Sequence, residues 1–270
     1  MGRIEQLIGV TANTGIKLYR DVSINSGTQA LFDVSSAWAG GAVGVAAGAS
    51  IKSLSFENSV ATFAKPHTYA NGGMVFAGVQ GDTFDLPDVA APQPGDTHWM
   101  ITAWLKIANF GVGTAGNGNN QTLSFSTVAN NLATSAMLTL VPSPVAGATP
   151  TSISLFVRGK NYGGLASQLG QLYNGNLHQL SIEFQLSSDG TQQQVTVYID
   201  GSVVYASGYG SVAATVPSAP TSKYIGASST FLMAWSGAFY RYRKDDMTMS
   251  TLTASQILSA DSSSINGRFS

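Results

Sequence analysis

The sequence predicts an all-β protein: an antiparallel β-sandwich of jelly-roll type, preceded by an N-terminal arm and closed by a short C-terminal helix. Three observations predict it. Apolar and polar residues alternate with period two over short runs. Clusters of Gly, Pro, Asn and Asp separate those runs. Only one segment, near the C-terminus, carries the chemistry of a helix start.

The clearest strands lie in Leu177–Gly201. Leu180, Ile182, Phe184 and Leu186 alternate with Gln179, Ser181, Glu183 and Gln185, which places one set on a buried face. Asp189-Gly190 breaks the run and predicts a hairpin, because Gly accepts positive φ. Val195, Val197 and Ile199 then alternate with Thr196, Tyr198 and Asp200, and Asp200-Gly201 marks a second turn. Further turn clusters fall at Asn71–Gly73, Pro92–Gly95, Gly111–Asn120, Pro142–Pro150, Asn174–Asn176 and Pro217–Ser222. Gly111–Asn120 reads as a mobile loop. Thr253 with Gln256 forms a capping-box pattern, and Leu252 with Ile257 the accompanying staple. That predicts a helix of about two turns with Ile257 and Leu258 inward, followed by a polar tail, Asp261–Ser270, at the surface or an interface. Residues 1–50 fall outside the pattern. Ile16–Val22 and Gln29–Val34 read as short strands, and Ala37–Ala49 as a linker or a closely packed segment. Residues 1–50 are therefore either a docking arm for a 51–270 sandwich or extra edge strands of it.

The order of these pieces resembles the concanavalin A-like lectin and glucanase superfamily, with its laminin-G branch. "LHQLSI" at Leu177 followed by "VTVYIDG" at Val195 is similar to one strand pair of that family. Lys223–Gly226, Trp235–Arg243 and Thr248–Ile257 resemble its closing segments, and Asn71–Gly78, Phe84–Pro87 and Trp99–Leu105 its opening strands. The resemblance covers Leu54 to Asp261 and implies a concanavalin A-like sandwich. It says less about function, since one fold hosts many sites.

Composition excludes several classes. Among 270 residues there is no cysteine, hence no disulfide framework and no thiolate metal site. Only 10% are charged and the formal net charge is −1, so nothing favours nucleic acid. No Gly-rich run leads into a helix with Lys-Ser/Thr, so there is no P-loop. The N-terminus lacks a basic-then-apolar leader, and no apolar stretch reaches the ~18 residues of a membrane span.

The family's hydrolases need two carboxyl groups about 5–5.5 Å apart. The three glutamates here, Glu5, Glu57 and Glu183, each lack a second carboxylate within four residues. The histidines, His67, His98 and His178, have no telling sequence partner. No catalytic residue is therefore assigned, although distant carboxylates such as Glu183 and Asp85 can still meet in a fold. Calcium needs several oxygen ligands, and Asp82, Asp85 and Asp88 (with Asp96 nearby) are the best acidic cluster. A sugar site needs an aromatic platform beside amides: Asn161-Tyr162, Tyr173-Asn174 and Trp235 are the candidates, with subunit or core packing as the competing use. Asp245-Asp246 is read as pairing with Arg241, Arg243 and Lys244 across the surface.

A cysteine-free chain rich in Gly, Ser, Thr and Ala resembles bacteriophage virion proteins. The leading expectation is a non-enzymatic decoration, tail or fibre component, located in the virion, homo-oligomeric and anchored to other virion proteins by its arm. The alternative is a lectin-like module that binds host surface glycans.

Overall fold

The computed structural model describes residues 21–36, 44–55, 59–78, 81–107, 123–127, 136–143, 150–221, 223–226, 236–265 and 267–269. In chain order its strands are β1 (Thr28–Asp33), β2 (Ser50–Lys52), β3 (Val60–Phe63), β4 (Tyr69–Ala70), β5 (Gly73–Ala77), β6 (Thr83–Asp85), β7 (His98–Ile107), β8 (Leu123–Thr127) and β9 (Ala136–Ser143). There follow β10 (Ser152–Val157), β11 (Lys160–Tyr162), β12 (Leu177–Leu186), β13 (Gln192–Ile199), β14 (Ser202–Ala206), β15 (Gly210–Ser211), β16 (Tyr224–Gly226) and β17 (Ser236–Asp246). Helix α1 spans Ala166–Leu169 and α2 spans Ala254–Ile265.

The β12–β13 hairpin forms in the expected register, with Ile182 opposite Val197 and Phe184 opposite Val195. It belongs to a nine-stranded sheet ordered β14-β13-β12-β7-β17-β5-β4, with β1 on β17 and β15 on β13. The opposing layer comprises two four-stranded sheets, β16-β6-β3-β2 and β11-β10-β9-β8, which meet where β16 packs on β8. All pairings are antiparallel. Between the layers lies one core that includes Leu180, Ile182, Phe184, Val195, Val197, Ile199, Phe84 and Phe125. The chain is thus a concanavalin A-like antiparallel sandwich.

Within the stretch read as an arm, β1 is a strand of the main sheet. It pairs with Arg241–Asp245 of β17, while β5 pairs with Ser236–Phe239 farther along the same edge. Ala30 and Phe32 enter the core. Residues 1–20 and 37–43, and the Gly111–Asn120 loop, lie outside the described residues.

The outer face of the main sheet is also buried. Gln179 and Ser181 belong to the set opposite the core face, yet both are buried, because α2 packs Ile257 and Leu258 against Met100 and Tyr198 there. A β-bulge between Phe239 and Arg241 of β17 changes the parity of that strand. Phe239 and Tyr242 both enter the core, whereas Tyr240 packs outside with Ile265 and Phe269. Arg241 and Arg243 thereby come under α2 and the 21–28 segment. Arg241 donates to Asp21 at 2.8 Å and Asp261 at 2.9 Å, and Arg243 to Asp245 at 2.6 Å. The expected pairing of Arg243 with Asp245 is present, but inside the protein rather than across its surface. Burial is tolerated because each guanidinium meets carboxylates and hydroxyls in several directions.

Helix α2 starts as the capping box requires: the Thr253 N–H donates to Gln256 Oε1 at 2.9 Å, and the Gln256 N–H to Thr253 Oγ1 at 3.4 Å. The helix is a turn longer than expected. Its second half buries Asp261, Ser264 and Ile265, and Phe269 beyond it is also buried. The segment read as a polar tail at the surface or an interface packs on the sheet through these residues, and Asp261 answers Arg241.

Candidate functional site

A groove of about 360 Å³ runs between α2, β7, β12 and the β13–β14 turn. Its helical wall follows from the spacing of Ser255, Ser259 and Ser262, at i, i+4 and i+7, which lie on one exposed face while Ile257, Leu258 and Asp261 face the sheet. The opposite wall is the Asp200-Gly201 turn. Ile199 pairs with Ser202, leaving two residues to reverse the chain, and both have positive φ, +52° and +77°. That is the turn whose twist matches flanking strands.

The floor is formed by Trp104 and Gln179, directly opposite each other on β7 and β12. Trp104 donates its indole N–H to Asp261 Oδ2 at 2.7 Å, and its ring meets Phe269 edge-on. Gln179 is 1% exposed. Its Nε2 donates to Leu258 O at 3.3 Å and Asp261 Oδ2 at 3.2 Å. No described residue donates to its Oε1.

Asp200 is held from behind. Its Oδ1 accepts the Gln179 N–H at 2.9 Å and its Oδ2 faces His178 Nδ1 at 2.8 Å, while the side chain remains 52% exposed. Burial raises its carboxyl, but the bonds from His178 and Gln179 outweigh that and hold it below the usual carboxylate range. His178 Nε2 faces Asn174 Oδ1 at 3.2 Å, and that oxygen also accepts the Asn176 N–H at 2.7 Å. The latter bond fixes which end of the amide is oxygen, so both His178 nitrogens face acceptors.

The candidates named from sequence fare differently. Tyr162 is buried in the core, its hydroxyl accepting from Gln193 at 3.0 Å, and Tyr173 is buried likewise. Neither ring has a face free for a sugar, which corrects their reading as platforms. Asn161 is exposed on β11. Asn174 serves the groove indirectly, through His178. Trp235 lies outside the described residues. The acidic cluster is not gathered: Asp82 is buried against His67 at 3.1 Å, Asp85 points outward from β6, and Asp88 pairs with Lys223. Among the described residues no three His, Asp or Glu side chains converge as a metal site, so the calcium reading of Asp82, Asp85 and Asp88 has no geometry behind it.

Glu183 and Asp85 do not meet either. Glu183 faces outward from the main sheet, and Asp85 outward from the opposite layer, because each neighbours a core residue, Phe184 or Phe84. Glu183 lies between His98 Nε2 at 2.9 Å and the Tyr198 hydroxyl at 2.7 Å. Burial raises its carboxyl, and these two bonds bring it below its ordinary value. Nearby, Asp96 and His98 line a smaller cleft of about 120 Å³, where Asp96 is already bound by Lys244. All three histidines prove to have a carboxylate partner, and sequence reasoning missed each one because the partners come from other strands or turns.

No protein-family model matches the chain, and no curated protein matches it. Solved structures do. The binding domain of Paraclostridial Mosquitocidal Protein 1 aligns over 89% of this chain and 53% of its own, at 11% identity and a TM-score of 0.51. The botulinum neurotoxin serotype D binding domain gives the same coverage and TM-score at 8% identity. The likeness is one of fold. A Trypanosoma rangeli sialidase aligns at a TM-score of 0.47 and 15% identity, over 87% of this chain and 32% of its own. The chain thus spans about half the length of the two toxin domains and about a third of the sialidase. No helix among the described residues is long and apolar enough to cross a membrane.

Proposed function

We propose that the chain is a carbohydrate-binding, lectin-like module without enzymatic activity of its own, and that the groove beside α2 is its sugar site. The groove itself carries this reading. It sets a half-buried indole, Trp104, beside the Gln179 amide, a carboxylate and a row of serine hydroxyls. An aromatic face takes the C–H side of a sugar ring, and the polar groups take its hydroxyls. Its volume lies at the small-molecule end of the usual range of about 300–1,000 Å³. The likeness of fold to two toxin binding domains agrees with a recognition role. The virion reading draws on composition and on the pattern break near residue 50, whereas the sugar reading has a built groove behind it and is preferred.

The test is a glycan array with the full chain, followed by titration of any hit against Ser259→Trp. That substitution fills the groove from an exposed helix position, and it should abolish binding while leaving the unfolding midpoint unchanged. An array with no ligand at millimolar sugar, or a hit indifferent to Ser259→Trp, would sink the proposal.

A further inference from the structure

We infer that the groove selects neutral sugars and rejects carboxylated ones, with Asp200 and Gln179 as the pair that determines this specificity. The inference rests on the sugar-binding reading and deepens it. The two side chains best placed to orient a ligand both present acceptors. Gln179, 1% exposed, has committed both described bonds of its Nε2 inward and offers only Oε1. Asp200 offers a carboxylate at the rim.

No cation among the described residues that line the groove balances an acid on the ligand. None of the groove's lining residues is Lys, Arg or His. Behind it, the Arg241 guanidinium is committed to Asp21, Asp33 and Asp261. The indole N–H, the other strong donor, already serves Asp261. A neutral pyranose supplies hydroxyl donors to both acceptors at once. A uronic or sialic acid brings a second carboxylate against Asp200, and only serine hydroxyls remain to receive it.

His178 acts as a positioning residue. Between Asp200 Oδ2 and Asn174 Oδ1 it holds the carboxylate at the mouth of the groove, and Asp200's left-handed backbone, φ +52°, aims it there.

The experiment compares matched sugars by protein-observed NMR on the full chain: glucose with glucuronic acid and galactose with galacturonic acid, alone and as short oligomers, and N-acetylneuraminic acid. The Trp104 indole and Gln179 amide signals report the groove. At least one neutral sugar should shift them, with its acid partner weaker by about tenfold or more, since like charges near contact at a half-exposed site repel by more than thermal energy. Asp200→Asn keeps the size and tolerates positive φ, so it folds. It should weaken the neutral sugar and close most of the gap to the acid. An acid that shifts the same signals as strongly as its neutral partner overturns the specificity while leaving sugar binding intact. A gap that survives Asp200→Asn unchanged overturns the role of Asp200. Silence from every sugar, neutral and acid, overturns the sugar-binding reading and this inference with it.

Discussion

Arg241→Met tests the buried ion network most directly. The guanidinium faces Asp21, Asp33 and Asp261, with Ser23 and Ser264 beside them, and none of the three carboxylates is more than 2% exposed. Burial alone would raise the Asp21 carboxyl. The bond to Arg241 and its charge, with help from Ser23, overcome this and hold it at about 2 against an ordinary 3.8. At ~1.4 kcal/mol per pH unit, Asp21 by itself carries about 2 kcal/mol of stability above pH ~4. Because the folded value is depressed, that contribution is lost as pH falls from about 4 toward 2. Asp33 keeps Arg268 at 3.0 Å, and Asp261 keeps Trp104 and Gln179, so each adds less. The variant should lose about 3–5 kcal/mol at neutral pH, the usual cost of stranding a buried charge. Its orphaned carboxyls would then sit above their unfolded values, so the deficit should shrink on acidification. Urea unfolding of both proteins at neutral pH and near pH 4.5 measures this, and adding Asp21→Asn should recover part of the loss. A neutral-pH deficit under about 1 kcal/mol, or one that does not change with pH, would refute the reasoning.

Other outcomes follow from single contacts. Gly73→Ala places a Cβ 2.5 Å from the buried Tyr240 ring and should cost about 1–3 kcal/mol, read as a lower thermal midpoint. Thr253→Ala removes the cap of α2 and should cost about 1 kcal/mol in urea unfolding, with Thr253→Ser restoring most of it. In His178→Gln the Asp200 carboxyl should move up toward its ordinary value, followed by carboxyl ¹³C NMR against pH; no upward movement would contradict the hydrogen-bond assignment. Glu183, also held below its ordinary value by His98 and Tyr198, contributes stability above the ordinary carboxylate range that is lost as pH falls through its folded value. Glu183→Gln should therefore flatten the acid limb of the stability profile.

Much of the fold was legible in local pattern. The β12–β13 alternation, the Asp200-Gly201 turn and the Thr253/Gln256 cap depend on residues a few positions apart, and each formed as expected. The site was less legible. Tyr162 and Tyr173 sit beside Asn and Gly as a sugar platform would, yet core packing claimed both rings. Trp104 looked like one more strand residue, and its partner Asp261 lies 157 positions away. The polar row Gln179, Ser181 and Glu183 gave no sign of which members α2 would roof.

The division has a physical cause. By itself the sequence determined the strand period, the turns that need positive φ, the start of α2, and the absence of disulfide chemistry, because these depend on backbone preference and composition. Tertiary structure alone decided which polar residues are buried and which carboxylates answer the histidines and Arg241. The bulge at Tyr240-Arg241 turns the arginines outward, α2 and the 21–28 segment then cover them, and the rim left between helix and turn is the groove. Those contacts join parts of the chain up to 220 residues apart, and only the folded packing brings them together.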